Sequence, residues 1–223
     1  MCRFFTHTGE NMNIYALRNV AKREEIDYPF LMHVLAKYRS PRNKVQAFLR
    51  DQDLIRVKKG IYIFGNKAQQ EPYSKEVLAN LIYGPSAISL EYALSYYGLI
   101  PERVETVTCI TNNRNKHFKT PIGNFEYHFL SSDKFSYGIT QIEINPSKHF
   151  LMAIKEKALA DMLMLRTEPL SSEDELYSHL TENLRIDDLQ LNCLDYKKIS
   201  ILATLYQNKN LYLFKSILEK NYG

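Results

Sequence analysis

The chain has 223 residues, enough for one large domain or two smaller ones, and its 45% apolar and 24% charged contents are ordinary for a globular protein. Its three cysteines are far apart and form no CxxC pair, which excludes a disulfide framework and a zinc knuckle. The net charge of +4 is unevenly spread, since residues 1–68 carry 13 Lys and Arg against 6 Asp and Glu, whereas residues 69–223 carry 16 against 19. This asymmetry favours a basic first domain that meets a polyanion and a second domain with another partner.

The N-terminal segment MCRFFTHTGENMN lacks an apolar run of signal-peptide length. No stretch of the sequence approaches the length of a membrane span. Together with the unpaired cysteines, these features predict a reducing, cytoplasmic setting and no membrane partner. We expect residues 1–11 to be a disordered leader, with Met12 as an alternative start.

Three short helices are predicted in the first domain because apolar residues recur at helical spacing. The first helix carries Ile14 and Leu17, and the second follows Pro29. The third helix begins at Ser40-Pro41, a favoured cap followed by the residue best tolerated in a first turn, and runs to about Asp53.

Two strands are predicted directly after the third helix, at 54–58 and 61–64. They are joined through Lys59-Gly60, where glycine permits the positive φ of a tight hairpin. Three helices followed by a hairpin predict a winged helix-turn-helix over residues 1–68.

The third helix has two distinct faces on a wheel of about 100° per residue. Val45, Phe48 and Leu49 fall on one face and are expected to point into the domain core. The opposite face carries Asn, Gln and Arg, which contact base edges in the major groove, and the hairpin adds cations that suit phosphates. The predicted DNA-binding residues are Arg42, Asn43, Lys44, Gln46 and Arg50 of the helix and Arg56, Lys58 and Lys59 of the hairpin. The alternative is an ordinary solvated surface or a protein-contact surface.

The second domain, residues 69–223, is predicted to contain a small antiparallel sheet and several helices. The polar segment 65–72 is the expected linker. A helix with Leu78 and Leu81 facing inward is expected after Ser74, and another is expected to end at Gly98. Strands are expected at 104–111, 118–130 and 139–144. The predicted fold class of the whole chain is therefore α+β.

Helices dominate the last part of the sequence. The helix within residues 153–165 is expected to bury its apolar side chains, with Lys157 and Asp161 forming a surface ion pair at i,i+4 spacing. Ser172 with Glu175 forms a capping-box pattern, and Asp195 is expected to cap one of the last two helices.

No convergent set of reactive residues is recognisable in the sequence. The six histidines show no HxxxH or HExxH spacing, and GxSxG, GxxxxGK[ST] and GxGxxG are missing. Gly84-Pro85-Ser86 is not followed by the DxD of a nucleotidyltransferase, and Glu126-Tyr127-His128 lacks the lysine of a nuclease ExK motif. We therefore expect no catalytic residue, no cofactor and no metal.

Four segments of the chain, in order, are LIRVKKGIYIFG, YSKEVLANLIYGPSAISLEYALSYYGLIPERVETVTCIT, KTPIGNFEYHFL and IKEKALADMLML. Together they resemble the AbiEi-type antitoxins of type IV toxin–antitoxin and abortive-infection systems. The resemblance covers roughly residues 26–220, and SLEYALSYYGLIPE is its most specific part.

The resemblance implies an N-terminal winged helix that binds the promoter of its own operon and a C-terminal α/β domain that carries antitoxicity. It also implies a nucleotidyltransferase-like toxin that is encoded nearby. The antitoxin counteracts the effect of this toxin, either by binding it directly or without such binding. The family's DNA-binding stretch matches Arg42 to Arg50, and its wing matches Arg56 to Gly60. Its Pro-Glu-Lys-Ala-Leu motif stands here as Lys155-Glu156-Lys157-Ala158-Leu159, without the proline.

Two other functional classes stay open on the sequence. One is a winged-helix transcriptional regulator whose second domain binds a ligand or oligomerises, with no toxin partner. The other is a nuclease or another enzyme, against which the missing carboxylate–lysine set counts.

Overall fold

The computed structural model describes residues 12–146 and 148–222, so the expected leader at residues 1–11 lies outside the described residues. The chain divides into two compact units between Ser74 and Lys75. The described residues form eleven α-helices and two sheets, one of three strands and one of six, and the fold is α+β.

The first unit contains three helices and a three-stranded antiparallel sheet of order β1-β3-β2. Its elements are α1 (Ile14–Ala21), β1 (Glu25–Asp27), α2 (Tyr28–Val34), α3 (Pro41–Arg50), β2 (Leu54–Lys58) and β3 (Ile61–Phe64). The three predicted helices and the hairpin are confirmed, although α3 ends three residues earlier than expected. Strand β1 was missed because three residues, two of them acidic, carry no strand pattern.

Strand β3 is central to this sheet, and all four of its residues are buried. The core formed around it combines apolar residues from every element of the unit, among them Leu17, Ile26, Leu31 and Phe48. Because a central strand must pack on both faces, Ile61 to Phe64 reads as an uninterrupted apolar run rather than as an alternation.

Two buried carboxylates attach the segment that we expected to be a linker to the first unit. The backbone N–H groups of Gln70 and Glu71 both donate to Oε1 of Glu24 at 2.9 Å, and that oxygen also accepts from Arg18 at 2.8 Å. The N–H of Ser74 donates to Oε1 of Glu25 at 2.5 Å. These hydrogen bonds explain why the unit extends to Ser74, six residues beyond the boundary expected at 68.

The second unit begins with α4 (Lys75–Ile82), β4 (Ser86–Ile88), α5 (Leu90–Tyr96), β5 (Val107–Thr111), β6 (Lys116–Thr120), β7 (Gly123–Phe129) and α6 (Ser132–Ser136). It continues with β8 (Ile139–Asn145), β9 (Lys148–Ala153), α7 (Lys155–Leu165), α8 (Glu173–Ser178), a π-helical turn (His179–Asn183), α9 (Asp188–Asn192), α10 (Tyr196–Tyr206) and α11 (Lys209–Tyr222). No helix within residues 12–146 and 148–222 combines the length and apolarity needed to cross a membrane.

The expectation of a small antiparallel sheet was wrong, since the sheet has six strands in the order β6-β7-β5-β4-β9-β8 and is mixed. Strands β5 and β7 pair in parallel, as do β4 and β9. All five residues of β5 are buried, whereas β6 exposes Lys116, His117 and Lys119. A fully buried strand needs a neighbour on each side, so β7 lies beside β5 and the polar β6 takes the edge.

Several predicted helix ends are confirmed. Helix α5 ends before Gly98, whose φ is +69°, and the N–H of Leu99 bonds to the carbonyl of Leu94 at 2.9 Å. The side chain of Asp195 caps α10. The inward position expected for Leu81 was wrong, because that side chain is exposed.

The surface ion pair expected between Lys157 and Asp161 was also wrong, because both side chains are 0% exposed. Nζ of Lys157 lies 3.2 Å from Oδ1 of Asp161 and also donates to the hydroxyl of Tyr206 at 2.6 Å and to the carbonyl of Lys134 at 2.8 Å. Asp161 also accepts from the hydroxyls of Ser89 and Tyr206. This set of hydrogen bonds connects α5, α6, α7 and α10.

Helix α7 is buried on most sides because it packs against α5, α10 and α11. Burial lowers the pKa of Lys157 and raises the pKa of Asp161, while the attraction between the two groups opposes both shifts. The i,i+4 spacing could not reveal that Lys157 and Asp161 are buried, because the same spacing occurs in exposed and in buried pairs.

We expect Asp161→Ala to destabilise the second unit by about 3–5 kcal/mol, because it leaves the Lys157 ammonium buried beside neutral partners. Lys157→Met is expected to cost less, since two hydroxyls still donate to Asp161. The double variant should cost less than the sum of the two single changes. Native-state amide hydrogen exchange of α7 measures these losses, and strictly additive losses would show that the pair is not coupled.

Candidate nucleic-acid interface

Helix α3 divides into the two faces that the sequence predicts. Val45 and Phe48 are buried in the core of the first unit, and Leu49 packs against that core. The side chains of Arg42, Asn43, Gln46 and Arg50 are exposed, and Ala47 among them is half-buried. The polar face therefore carries amide and guanidinium groups around a small residue, with no carboxylate within the helix.

The start of α3 favours an anion. Pro41 occupies the first turn, and the side chain of Ser40 makes no capping hydrogen bond. The first N–H groups of a helix have no partner within the helix, and they lie at the positive end of the helix dipole. A phosphate placed here would meet both these N–H groups and the neighbouring Arg42.

Tyr28, the first residue of α2, connects the start of α3 to the tip of the hairpin. Its backbone N–H donates to the carbonyl of Gly60 at 2.8 Å, and its hydroxyl accepts from Nε of Arg42 at 3.1 Å. One residue thus contacts both parts of the predicted interface. Arg42 and the β2–β3 turn consequently lie on the same side of the unit.

The hairpin presents its cations around a turn that requires glycine. Gly60 has a φ of +89°, and the pairing of β2 with β3 shifts register between Arg56 and Lys58. Such an irregularity twists a hairpin and changes the direction of its side chains. Arg56 and Lys59 are exposed, whereas Lys58 is half-buried.

Lys44 and Arg50, like Arg42, are engaged within the unit. Nζ of Lys44 lies 5.0 Å from the ring centroid of Phe48 and 5.9 Å from that of Tyr38, which directs this ammonium along the flank of α3. Nε of Arg50 lies 3.1 Å from Oδ1 of Asp51, and both side chains are exposed. An exposed pair of this kind is weak and exchanges readily with another anion.

Sequence reasoning missed two residues that shape this surface. Tyr28 acts through its hydroxyl and its backbone across a distance in sequence that no helical spacing reveals. Asp51 directly follows Arg50 in the sequence, and its carboxylate contacts the Arg50 guanidinium on the polar face of α3. Their positions explain why Arg42 is oriented and why Arg50 is partly neutralised.

The second unit contains a compact charged cluster that includes two residues of the Glu126-Tyr127-His128 segment. Nη2 of Arg166 lies 3.1 Å from Oε2 of Glu126 and 3.1 Å from Nε2 of His128, and its Nε lies 3.1 Å from Oε1 of Glu91. Burial and the charge of Arg166 lower the pKa of His128, which favours the neutral ring, and a neutral ring can accept a hydrogen bond from Arg166 through Nε2. Within the described residues, no group of three or more His, Cys, Asp or Glu side chains is arranged to hold a metal ion.

No protein-family model matches the chain, and no curated protein matches it significantly. The resemblance to AbiEi-type antitoxins therefore depends on the sequence segments quoted above.

We expect Gly60→Ala to destabilise the hairpin by about 1–2 kcal/mol, because a side chain at positive φ is strained. An added Cβ would meet only Cβ of Tyr28, at 3.9 Å, so the cost is one of backbone conformation rather than of space. Gly60→Asn should lose less, since asparagine tolerates positive φ better. Amide hydrogen exchange over residues 54–64 measures both variants, and an equal loss in the two would contradict the conformational explanation.

Proposed function

We propose that the first unit binds double-stranded DNA as a winged helix-turn-helix, with α3 in the major groove and the β2–β3 hairpin against the adjacent backbone. The observation that carries the proposal is the exposed Asn43, Gln46 and Arg50 face of α3 on the unit whose hairpin tip is hydrogen-bonded to the start of α2. Helices in the major groove read bases through side chains of these types.

The order of the elements supports this proposal. Helix α2 and helix α3 follow each other closely and are followed by a hairpin, as in a winged helix-turn-helix. Strand β1 pairs with β3, so the hairpin of β2 and β3 is part of a three-stranded sheet. An isolated two-stranded hairpin is marginally stable, so this third strand gives the wing a fixed position.

The charges of the surface support a division of tasks within the interface. Asn43 and Gln46 offer amides for base edges, whereas Arg42 and Lys59 offer cations for phosphates. Phosphate contacts supply affinity without sequence information, and base contacts supply discrimination. The two groups of residues should therefore respond differently to substitution.

The proposal extends to the whole chain as a non-enzymatic cytoplasmic antitoxin of a type IV toxin–antitoxin system, which serves abortive infection and phage defence. In this role the protein represses its own operon through operator DNA and counteracts a nucleotidyltransferase-like toxin. This part of the proposal is supported by the resemblance of residues 26–220 to AbiEi-type antitoxins.

The most specific segment of that resemblance is SLEYALSYYGLIPE, and several of its residues pack in the interior of the second unit. Ser89 donates to the buried Asp161 at 2.5 Å, Leu90, Ala93 and Leu94 are buried, and Gly98 ends the helix. The resemblance therefore supports a shared fold for the second unit, and antitoxicity needs its own experiment.

Substitutions in the hairpin and in α3 should weaken DNA binding in different ways. We expect Lys58→Ala/Lys59→Ala to weaken binding to all duplexes alike and to reduce the salt slope by about one unit for each phosphate that the hairpin no longer neutralises. Gln46→Ala should reduce the preference for operator DNA over a scrambled duplex by about 1–3 kcal/mol. Fluorescence anisotropy with DNA from the region upstream of the gene measures both quantities across a salt series.

Two matched variants make this test sharper. Lys197→Ala/Lys209→Ala removes the same charge from exposed positions of the second unit and should leave binding unchanged. Asp51→Asn removes the carboxylate beside Arg50 and should tighten binding to every duplex. Unaltered affinity and salt slope in the hairpin variant, with unaltered discrimination in Gln46→Ala, would exclude this surface as the DNA site.

Antitoxicity is tested by co-expressing the full chain with the product of the neighbouring gene and scoring growth. We expect growth to be restored, and we expect the Lys58→Ala/Lys59→Ala variant to restore it as well when both genes are driven by unrelated promoters. Failure of the wild-type chain to restore growth would favour a transcriptional regulator without a toxin partner.

A further inference from the structure

The loop between β5 and β6 in the second unit forms an unusual surface site around an exposed aromatic ring. Residues Asn112, Asn113, Arg114, Asn115 and Phe129 line a shallow depression of about 450 Å³. Phe129 is 51% exposed, although it belongs to a strand whose Phe125 and Tyr127 are buried on the same face. The site thus combines three amides, one guanidinium and one accessible ring.

The loop is held in place by its own side chains. Oδ1 of Asn115 accepts from the N–H of Phe129 at 2.6 Å, which fixes the loop beside the ring. The Asn113 amide donates to the carbonyl of Gly84 at 3.1 Å, and its backbone N–H donates to Oγ1 of Thr111 at 3.1 Å. Because Asn113 and Asn115 hold the loop, Asn112 and Arg114 lie beside Phe129 before a ligand binds. Binding therefore does not carry a large entropic cost for ordering this loop.

The charge of this segment is opposite to that of its domain. Residues 112–120 read NNRNKHFKT and contain three Lys and Arg and no acid, whereas residues 69–223 carry 16 Lys and Arg against 19 Asp and Glu. Arg114, Lys116 and Lys119 are exposed, and none of the ion pairs among the described residues involves them. Local positive charge of this kind favours an anionic partner.

The sheet places the nearest lysine on the same face as the ring. Lys116 lies directly opposite Tyr127 in the β6–β7 pair, and directly opposite residues share a face. Phe129 follows Tyr127 by two residues and so shares that face as well. A flat ring is thereby accompanied by Arg114 on the loop and Lys116 on the edge strand.

We propose that this site binds single-stranded nucleic acid, with a base stacked on Phe129, amide contacts from Asn112 and phosphate contacts from Arg114 and Lys116. Stacking on an aromatic ring combined with cations along the backbone is how proteins bind single strands without strong sequence preference. A duplex keeps its bases stacked inside and cannot offer one to Phe129. The site is thus separate from the duplex-binding surface proposed for the first unit and does not depend on it.

The test uses the full chain and fluorescently labelled single-stranded RNA and DNA of about 12 nucleotides, beside duplex DNA. We expect Phe129→Ala to weaken single-strand binding by about tenfold and Arg114→Ala/Lys116→Ala to weaken it and flatten its salt dependence. Both variants should bind duplex DNA as the wild type does. Comparison of the RNA and DNA strands shows whether 2′-hydroxyl groups contribute.

Two matched controls accompany these variants. Tyr212→Ala removes an exposed ring from α11, and Lys197→Ala/Lys209→Ala removes two exposed charges, and neither control should affect single-strand binding. The proposal is overturned if Phe129→Ala and Arg114→Ala/Lys116→Ala bind single strands as the wild type does. It is equally overturned if single-strand binding is lost only in Gln46→Ala or Lys58→Ala/Lys59→Ala, since α3 and the hairpin would then be responsible.

Discussion

The hydrogen bonds of Tyr28 are the constraint on which the proposed DNA-binding surface depends. The pairing of β1 with β3 ends at Asp27 and Ile61. The next residue is Tyr28, whose backbone N–H donates to the carbonyl of Gly60 and whose hydroxyl accepts from Arg42. Tyr28 thus contacts both the hairpin tip and the start of α3, which follow it in the chain. The shared core already packs α3 against the hairpin strands, and Tyr28 adds a direct connection between the turn at Gly60 and Arg42.

The charged side chains of the candidate interface differ from those of helix α7 in how they are held. On the polar face of α3, Arg50 stays at the surface, where water and the exposed Asp51 hold it weakly and an incoming phosphate can displace that carboxylate. The buried Arg18–Glu24 pair of the same unit has a structural role instead. In the second unit, Lys157 and Asp161 are fully buried and satisfied by hydroxyls and a carbonyl. A buried pair cannot contact a ligand, so Lys157 and Asp161 of the conspicuous KEKALAD segment hold helices together.

The sequence predicts most of the first unit because its elements are local. Helix spacing, Pro41 and Lys59-Gly60 are short-range signals, and the inward face of α3 follows from Val45 and Phe48 alone. It does not predict β1, the contacts of Tyr28 or the burial of Lys157, because each depends on residues distant in the chain. The mixed sheet was missed for the same reason, since parallel pairing joins strands that are not consecutive.

The most direct test of the central claim follows backbone amide chemical shifts by NMR while operator duplex DNA is added to the full chain. We expect the largest changes at Arg42 to Arg50 and at Lys58 to Gly60, with a smaller change at Tyr28 because it contacts both Arg42 and Gly60. Saturable binding whose shift changes lie elsewhere, with residues 42–50 unaffected, would contradict the claim that α3 and the hairpin form the DNA-binding surface.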